Sequence, residues 1–246
     1  MGDKVRNYLK NLAFHYEGNQ KEMLNALKRK ATVKEFSCDY EFVTIIDKDY
    51  PKQLLDLYDP PIVLFYSGNL ELLKNECVSV VGSRRPNQYA IEETKILVKS
   101  LKERYCIVSG LAYGIDCIAH LESKDTGTIA VIANGLDIYY PKEHQTIQKY
   151  LCRKQLVLTE YPPQTKAKKH HFPVRNRVIA ALSKKILIMA GTEKSGTMHT
   201  ANIALELNRQ VYCLPHNVNE VQGKACNQLI QEGASVLTKE NEFYTI

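Results

Sequence analysis

No apolar run in the sequence approaches the roughly 18 residues that a membrane-spanning helix requires. The opening residues, Met1-Gly-Asp-Lys-Val-Arg, lead into a polar stretch and not into a signal-peptide core. Both absences point to a soluble, cytoplasmic protein. No Cys-x-x-Cys pair occurs, and the seven cysteines are odd in number and scattered, which argues against a disulfide framework and against a cysteine-held zinc. Several lie in apolar runs, where a thiol packs as a small hydrophobe. The Gly-x-Gly-x-x-Gly fingerprint and the Walker A lysine are also missing, so neither usual nucleotide motif is present. No metal or cofactor is implied.

Acidic residues are missing from one long stretch. Between Tyr161 and Thr192 stand seven cations (Lys166, Lys168, Lys169, Arg175, Arg177, Lys184 and Lys185) and no carboxylate. Taking these from the 33 Lys and Arg leaves 26 against 27 Asp and Glu, a nearly neutral remainder. The net charge of +6 therefore belongs to one segment. That pattern fits a localised polyanion site, and charge alone fits a solvated basic face equally well.

At 246 residues and 44% hydrophobic composition, the chain can bury one substantial core with a small appendage. From Val5 to about Lys30, apolar residues recur at intervals of three and four. This predicts two short amphipathic helices broken near Gly18-Asn19. Residues 1–40 are thus a short helical segment that packs on the rest of the chain, and residues 41–246 form the main domain. After Phe42–Ile46, the pairs Tyr50-Pro51 and Asp59-Pro60-Pro61 interrupt regular structure. From Ile62 onward, strand-like runs (Ile62–Tyr66, Cys77–Val81, Cys106–Ser109, Thr128–Ala133, Gln155–Thr159, Lys185–Met189, Gln210–Leu214) alternate with helical stretches such as Ala90–Glu103, Ile115–Ser123 and Val174–Leu182. Continuous apolar strands alternating with helices predict a doubly wound, mostly parallel α/β sheet of Rossmann-like type.

Ligands of such sheets sit where strands exit into helices, close to free amides and positive dipole ends. Three exits here carry small residues. Gly82-Ser83-Arg84-Arg85 offers close backbone approach, a hydroxyl and guanidinium forks, or is a turn with exposed arginines. Ser109-Gly110-Leu-Ala-Tyr-Gly114-Ile-Asp116 is followed by His120; the acid and the imidazole could share a proton, but such groups more often bond each other or the backbone. Ala190-Gly191-Thr-Glu-Lys-Ser195-Gly196-Thr197 brings hydroxyls into a helix start, as a phosphate cradle or as an empty cap. The basic segment interleaves cations with an aromatic in Lys168-Lys169-His-His-Phe172-Pro-Val-Arg175-Asn176-Arg177. This order suits unpaired nucleotides, whose phosphates need point charges and whose bases need a ring to stack on. Some of these residues can equally serve the core, with Phe172 as an anchor and Arg175 or Arg177 bracing loops.

The ordered set GSRR, SGLAYGID, IANGLDIYYP, TEYPP, FPVRNR, SGTMHTA and the late Gly233-Ala234 resembles the DprA/Smf (DNA-processing protein A) family from about Tyr50 to Leu237. The resemblance implies a Rossmann-like domain that forms a homodimer, binds single-stranded DNA, shields it from nucleases and loads the RecA recombinase during natural transformation, without enzymatic activity. It implies DNA contacts for Arg84, Lys169 and Phe172. Neighbouring loop positions Gly82, Ser83, Arg85, Lys168, Arg175, Asn176, Arg177, Ser195 and Gly196 complete the expected site. Met189 stands where the family usually has glutamate, and His216 where it usually has glycine. No winged-helix domain is expected after Leu237.

Two other readings share this fold. A nucleoside-monophosphate phosphoribohydrolase would need a carboxylate close after the third exit loop, where the next acid is Glu206. A nucleotide-sensing module would use the same loop for a mononucleotide.

Overall fold

Alternation along the short strands decides which side chains go to which layer. In Cys77–Val81, Val78 and Val80 point to one face of the sheet and Cys77 and Val81 to the other. In the computed structural model, which describes residues 2–238 and Phe243, nine strands form one sheet. They are β1 (Glu41–Thr44), β2 (Val63–Gly68), β3 (Cys77–Val81), β4 (Cys106–Ser109), β5 (Thr128–Val131), β6 (Leu156–Thr159), β7 (Lys185–Ile188), β8 (Gln210–Cys213) and β9 (Ser235–Val236). The helices are α1 (Gly2–His15), α2 (Gln20–Lys28), α3 (Gln88–Leu101), α4 (Ile115–Ser123), α5 (Gln145–Lys154), α6 (His171–Leu182), α7 (Gly196–Glu206) and α8 (Lys224–Gln231).

The strand order is β1-β2-β6-β5-β4-β3-β7-β8-β9. All neighbours from β6 to β9 are parallel, whereas β2 runs antiparallel to both β6 and β1. The run at Ile62–Tyr66 is therefore an antiparallel addition to the parallel set. From β3 the chain steps outward through β4, β5 and β6, then returns to place β7 on the other flank of β3. The strand order reverses between β3 and β7, the place where such sheets open a crevice beyond their carboxyl ends.

Helices cover both faces. On one face, α6, α7 and α8 bury Val178–Leu182, Ala201, Ala204, Cys226 and Leu229 against Val81, Ile186 and Ile188. On the other, α3 and α4 cover β3, β4 and β7. Beside them α1 and α2 bury Leu9, Leu12, Ala13, Met23 and Ala26 against Val63, Phe65, Ala130, Ile132 and Val157. The break between these helices is made by Asn19, whose side chain accepts from the amide of Glu22 at 3.3 Å and caps α2. Helix α6 is apolar nearly all round, as a helix enclosed by its neighbours must be. Its buried body fixes its first turn above the crevice.

No helix among the described residues is long and apolar enough to cross a membrane.

Candidate functional site: a cation-lined cavity at the switch point

A cavity of about 700 Å³ opens beyond β3 and β7. The loop after β3 supplies Gly82, Ser83, Arg84 and Arg85. The Ser83 hydroxyl accepts from the Arg85 amide at 3.0 Å, and the Ser83 carbonyl accepts from the Ile115 amide at 3.2 Å. The backbone is thus held from both sides while both guanidiniums stay exposed.

The start of α6 supplies Lys169, Phe172, Arg175 and Asn176. Phe172 is half-buried, with the Arg84 guanidinium 5.0 Å from its ring centroid. The ring of Tyr140 lies 5.4 Å away on a 45° tilt. Stacked cation and ring hold each other in place and leave an amphipathic surface at the rim. Arg175 is buried and spends its donors inward. Its Nη1 bonds the carbonyls of Val131 (2.7 Å) and Gly110, and its Nε bonds Asn176 Oδ1 at 3.0 Å. Burial lowers its pKa to about 10, and the nearby Asp116 carboxylate offsets part of that. Asn176 Nδ2 donates to the Gly196 carbonyl at 3.2 Å, which ties α6 to the start of α7.

The loop after β7 supplies Thr192, Ser195 and Gly196. Ser195 caps α7, its hydroxyl accepting from the Met198 amide at 3.4 Å. Ten of the twelve expected site residues therefore share one cavity. Its charged lining consists of Arg84, Arg85, Lys169 and Arg175 against a single carboxyl, Asp116.

Two expected residues lie elsewhere. Lys168 turns away to pair with Glu17 at 2.6 Å, beside a second, smaller cavity next to α2. Arg177 is buried on another side of α6, bonded to the Glu160 carboxylate and, at 2.6 Å, to the Asp59 carbonyl. It braces the α6 helix against the preceding loops and has no access to the cavity. Neighbours in sequence point in different directions from a helix or turn, and a count of charges cannot separate them.

Asp116 and His120 make separate contacts. Asp116 Oδ2 accepts from the Ala112 amide at 3.4 Å, and His120 Nδ1 meets Thr128 Oγ1 at 2.8 Å. Burial raises the Asp116 pKa, opposed by Arg175 and, among the other groups, Arg84. Asp116 lines the cavity, so the objection that no carboxylate stands near the cradle does not hold, although Glu206 lies at the far end of α7. Sequence reasoning also passes over Tyr140, Thr197, Thr200 and Gln222. Tyr140 stands inside the IANGLDIYYP motif, whereas nothing in the sequence marks Gln222. The two departures from the family pattern meet each other: His216 Nε2 lies 3.0 Å from the Met189 carbonyl, and the Met189 side chain is fully buried.

Fold and site together define a three-layer, Rossmann-like α/β protein with a cationic, aromatic-edged cavity at its switch point. The family model described as DNA recombination-mediator protein A matches residues 41–245. DNA processing protein DprA of Streptococcus pneumoniae is 41% identical over 207 residues, spanning 83% of this chain and 73% of that one. DprA of Bacillus subtilis is 38% identical over 206 residues, spanning 82% and 69%. The chain belongs to the DprA/Smf family. The X-ray structure of the S. pneumoniae protein superposes with a TM-score of 0.79 at 40% identity, covering 81% of this chain and 71% of that one. DNA processing protein A of Helicobacter pylori, described for its unique single-stranded DNA binding mode, gives 0.74 at 31% identity, covering 82% and 93%.

Proposed function

We propose that this protein binds single-stranded DNA across the cavity, with Arg84 and Lys169 on phosphates and a base stacked on Phe172. The observation that carries the reading is the Arg84–Phe172 stack in the same cavity as Lys169. Charge and a ring face side by side are what an unpaired nucleotide offers partners for, whereas a duplex keeps its bases stacked inside. Gly82, Ser83, Arg85, Arg175, Asn176, Ser195 and Gly196 shape or line the path. The binding mode described for the H. pylori relative supports this assignment.

On this reading the protein is a cytoplasmic, non-enzymatic homodimer that covers incoming strands against nucleases and delivers them to the RecA recombinase. Membership of a recombination-mediator family supports the recombinase as partner. The test is fluorescence anisotropy with labelled oligothymidylate and a matching duplex at two salt concentrations, beside an AMP hydrolysis assay. Tighter, salt-sensitive binding of the single strand with AMP intact is the expected result. Equal binding of duplex overturns the strand assignment, and AMP turnover with Asp116 as acid or base overturns the non-enzymatic one.

A further inference from the structure

Part of the cavity holds donors that the proposed rim contacts leave unused. Helix α7 begins at Gly196, and the amides of its first turn precede any intrahelical acceptor. Thr197, in that turn, is only 6% exposed and lines the cavity, yet its hydroxyl has no hydrogen-bond partner among the described residues. Buried polar groups are nearly always bonded, so a free hydroxyl facing a cavity at a helix start marks a place for an acceptor. Gly191 keeps that place open. A Cβ there would stand 3.1 Å from Ser195 Oγ and 3.2 Å from the Thr197 Cβ.

Rim and floor differ in access. Arg84, Arg85 and Lys169 are exposed, while Thr197, Thr200 and Arg175 are buried. A phosphodiester within a strand must both enter and leave, which suits the rim. A buried cradle is reached by a group with a single attachment. A phosphate monoester meets that condition, with close to two negative charges at neutral pH and three free oxygens for the amides, the hydroxyl and the helix dipole. Asp116, the carboxyl of the cavity, belongs to α4, on the opposite flank of β3 from α7.

We propose that the N-terminus of α7, with Thr197 and the Gly191 backbone, is a phosphate-monoester subsite. It takes either the terminal phosphate of a DNA strand or the phosphate of a free nucleoside monophosphate. Only the first source rests on the strand-binding reading above.

The test compares one oligothymidylate in 5′-phosphorylated and 5′-hydroxyl forms by anisotropy, and separately titrates dTMP against thymidine while following the melting temperature. A preference of about tenfold for the phosphorylated strand identifies the strand end as the source. A melting shift with dTMP and not thymidine, without strand preference, identifies the free nucleotide. In either case Thr197→Val brings the phosphate-to-hydroxyl ratio toward one. Absence of both effects in the unaltered protein overturns the subsite, whether or not the variant folds. Salt-sensitive binding of the 5′-hydroxyl strand reports independently on the reading it builds on, so the two can fail separately.

Discussion

The guanidinium of Arg175 occupies the space that a side chain at Gly110 would need, and its Nη1 bonds the Gly110 carbonyl. Glycine at the β4 exit is therefore required by a cation arriving from α6, 65 residues later in the chain. Gly110→Ala is expected to displace that guanidinium or to strain both loops, costing about 2–3 kcal/mol through overpacking and a weakened buried charge-assisted bond. Urea unfolding measures it. A variant within about 0.5 kcal/mol of the parent shows that the loop yields without cost.

The Arg84–Phe172 contact makes a prediction about coupling. Phe172→Ala removes a stacking platform worth about 1–3 kcal/mol per base, with little change in salt slope, while Arg84→Ala lowers that slope by about one. Because the guanidinium rests near the ring, loss of the ring also frees the cation. A double-mutant cycle on strand affinity is expected to give an interaction energy of at least about 0.5 kcal/mol. Additive losses mean that the two side chains act independently on the DNA.

Much of the architecture is legible in the sequence, because strands buried on both faces leave continuous apolar runs such as Cys77–Val81 and Lys185–Ile188. The edges are less so. Glu41–Thr44 and Ser235–Val236 are short, half-exposed additions whose membership of the sheet depends on pairing. Helix α6 starts at His171 and not at Val174, since proline is tolerated in a first helical turn and Pro173 lies inside it. Within the site, the motifs identify the loops, while direction comes from the fold. Arg175 and Arg177 are both buried, two residues apart, and only packing separates the one beside the cavity from the one bonded to Glu160.

The same distinction separates three cations by experiment. Lys169→Ala is expected to weaken strand binding and to reduce the salt slope by about one. Lys168→Ala leaves the slope unchanged, because that ammonium is paired with Glu17 outside the cavity, and its exposed pair contributes at most about 1 kcal/mol to stability. Arg177→Met leaves Glu160 buried without its partner and costs about 3–5 kcal/mol in unfolding free energy. Anisotropy across a salt series and urea titration check all three. A fall in slope with Lys168→Ala equal to that with Lys169→Ala contradicts the placement of these two side chains.

Beneath the cavity, His120 links stability to pH. The Thr128 hydroxyl donates its one proton to the Ile107 carbonyl at 2.9 Å, so at 2.8 Å it must accept from His120 Nδ1. The second ring nitrogen, Nε2, is buried without a partner in hydrogen-bonding geometry, and protonating it would place a charge in the core. Burial accordingly lowers the His120 pKa to about 3, the Ser109 backbone opposing only part of the shift, against about 6.5 for an exposed imidazole. Between those values the unfolded chain binds the proton and the folded chain does not. Stability from this group is therefore complete above about pH 6.5 and is lost as pH falls toward 3, with a slope of up to about 1.4 kcal/mol per pH unit. Urea midpoints between pH 7 and 5, before most carboxylates titrate, are expected to decline in the parent and to flatten in His120→Gln, which cannot ionise. Parallel curves for the two proteins mean that the imidazole is already solvated or paired in the folded state.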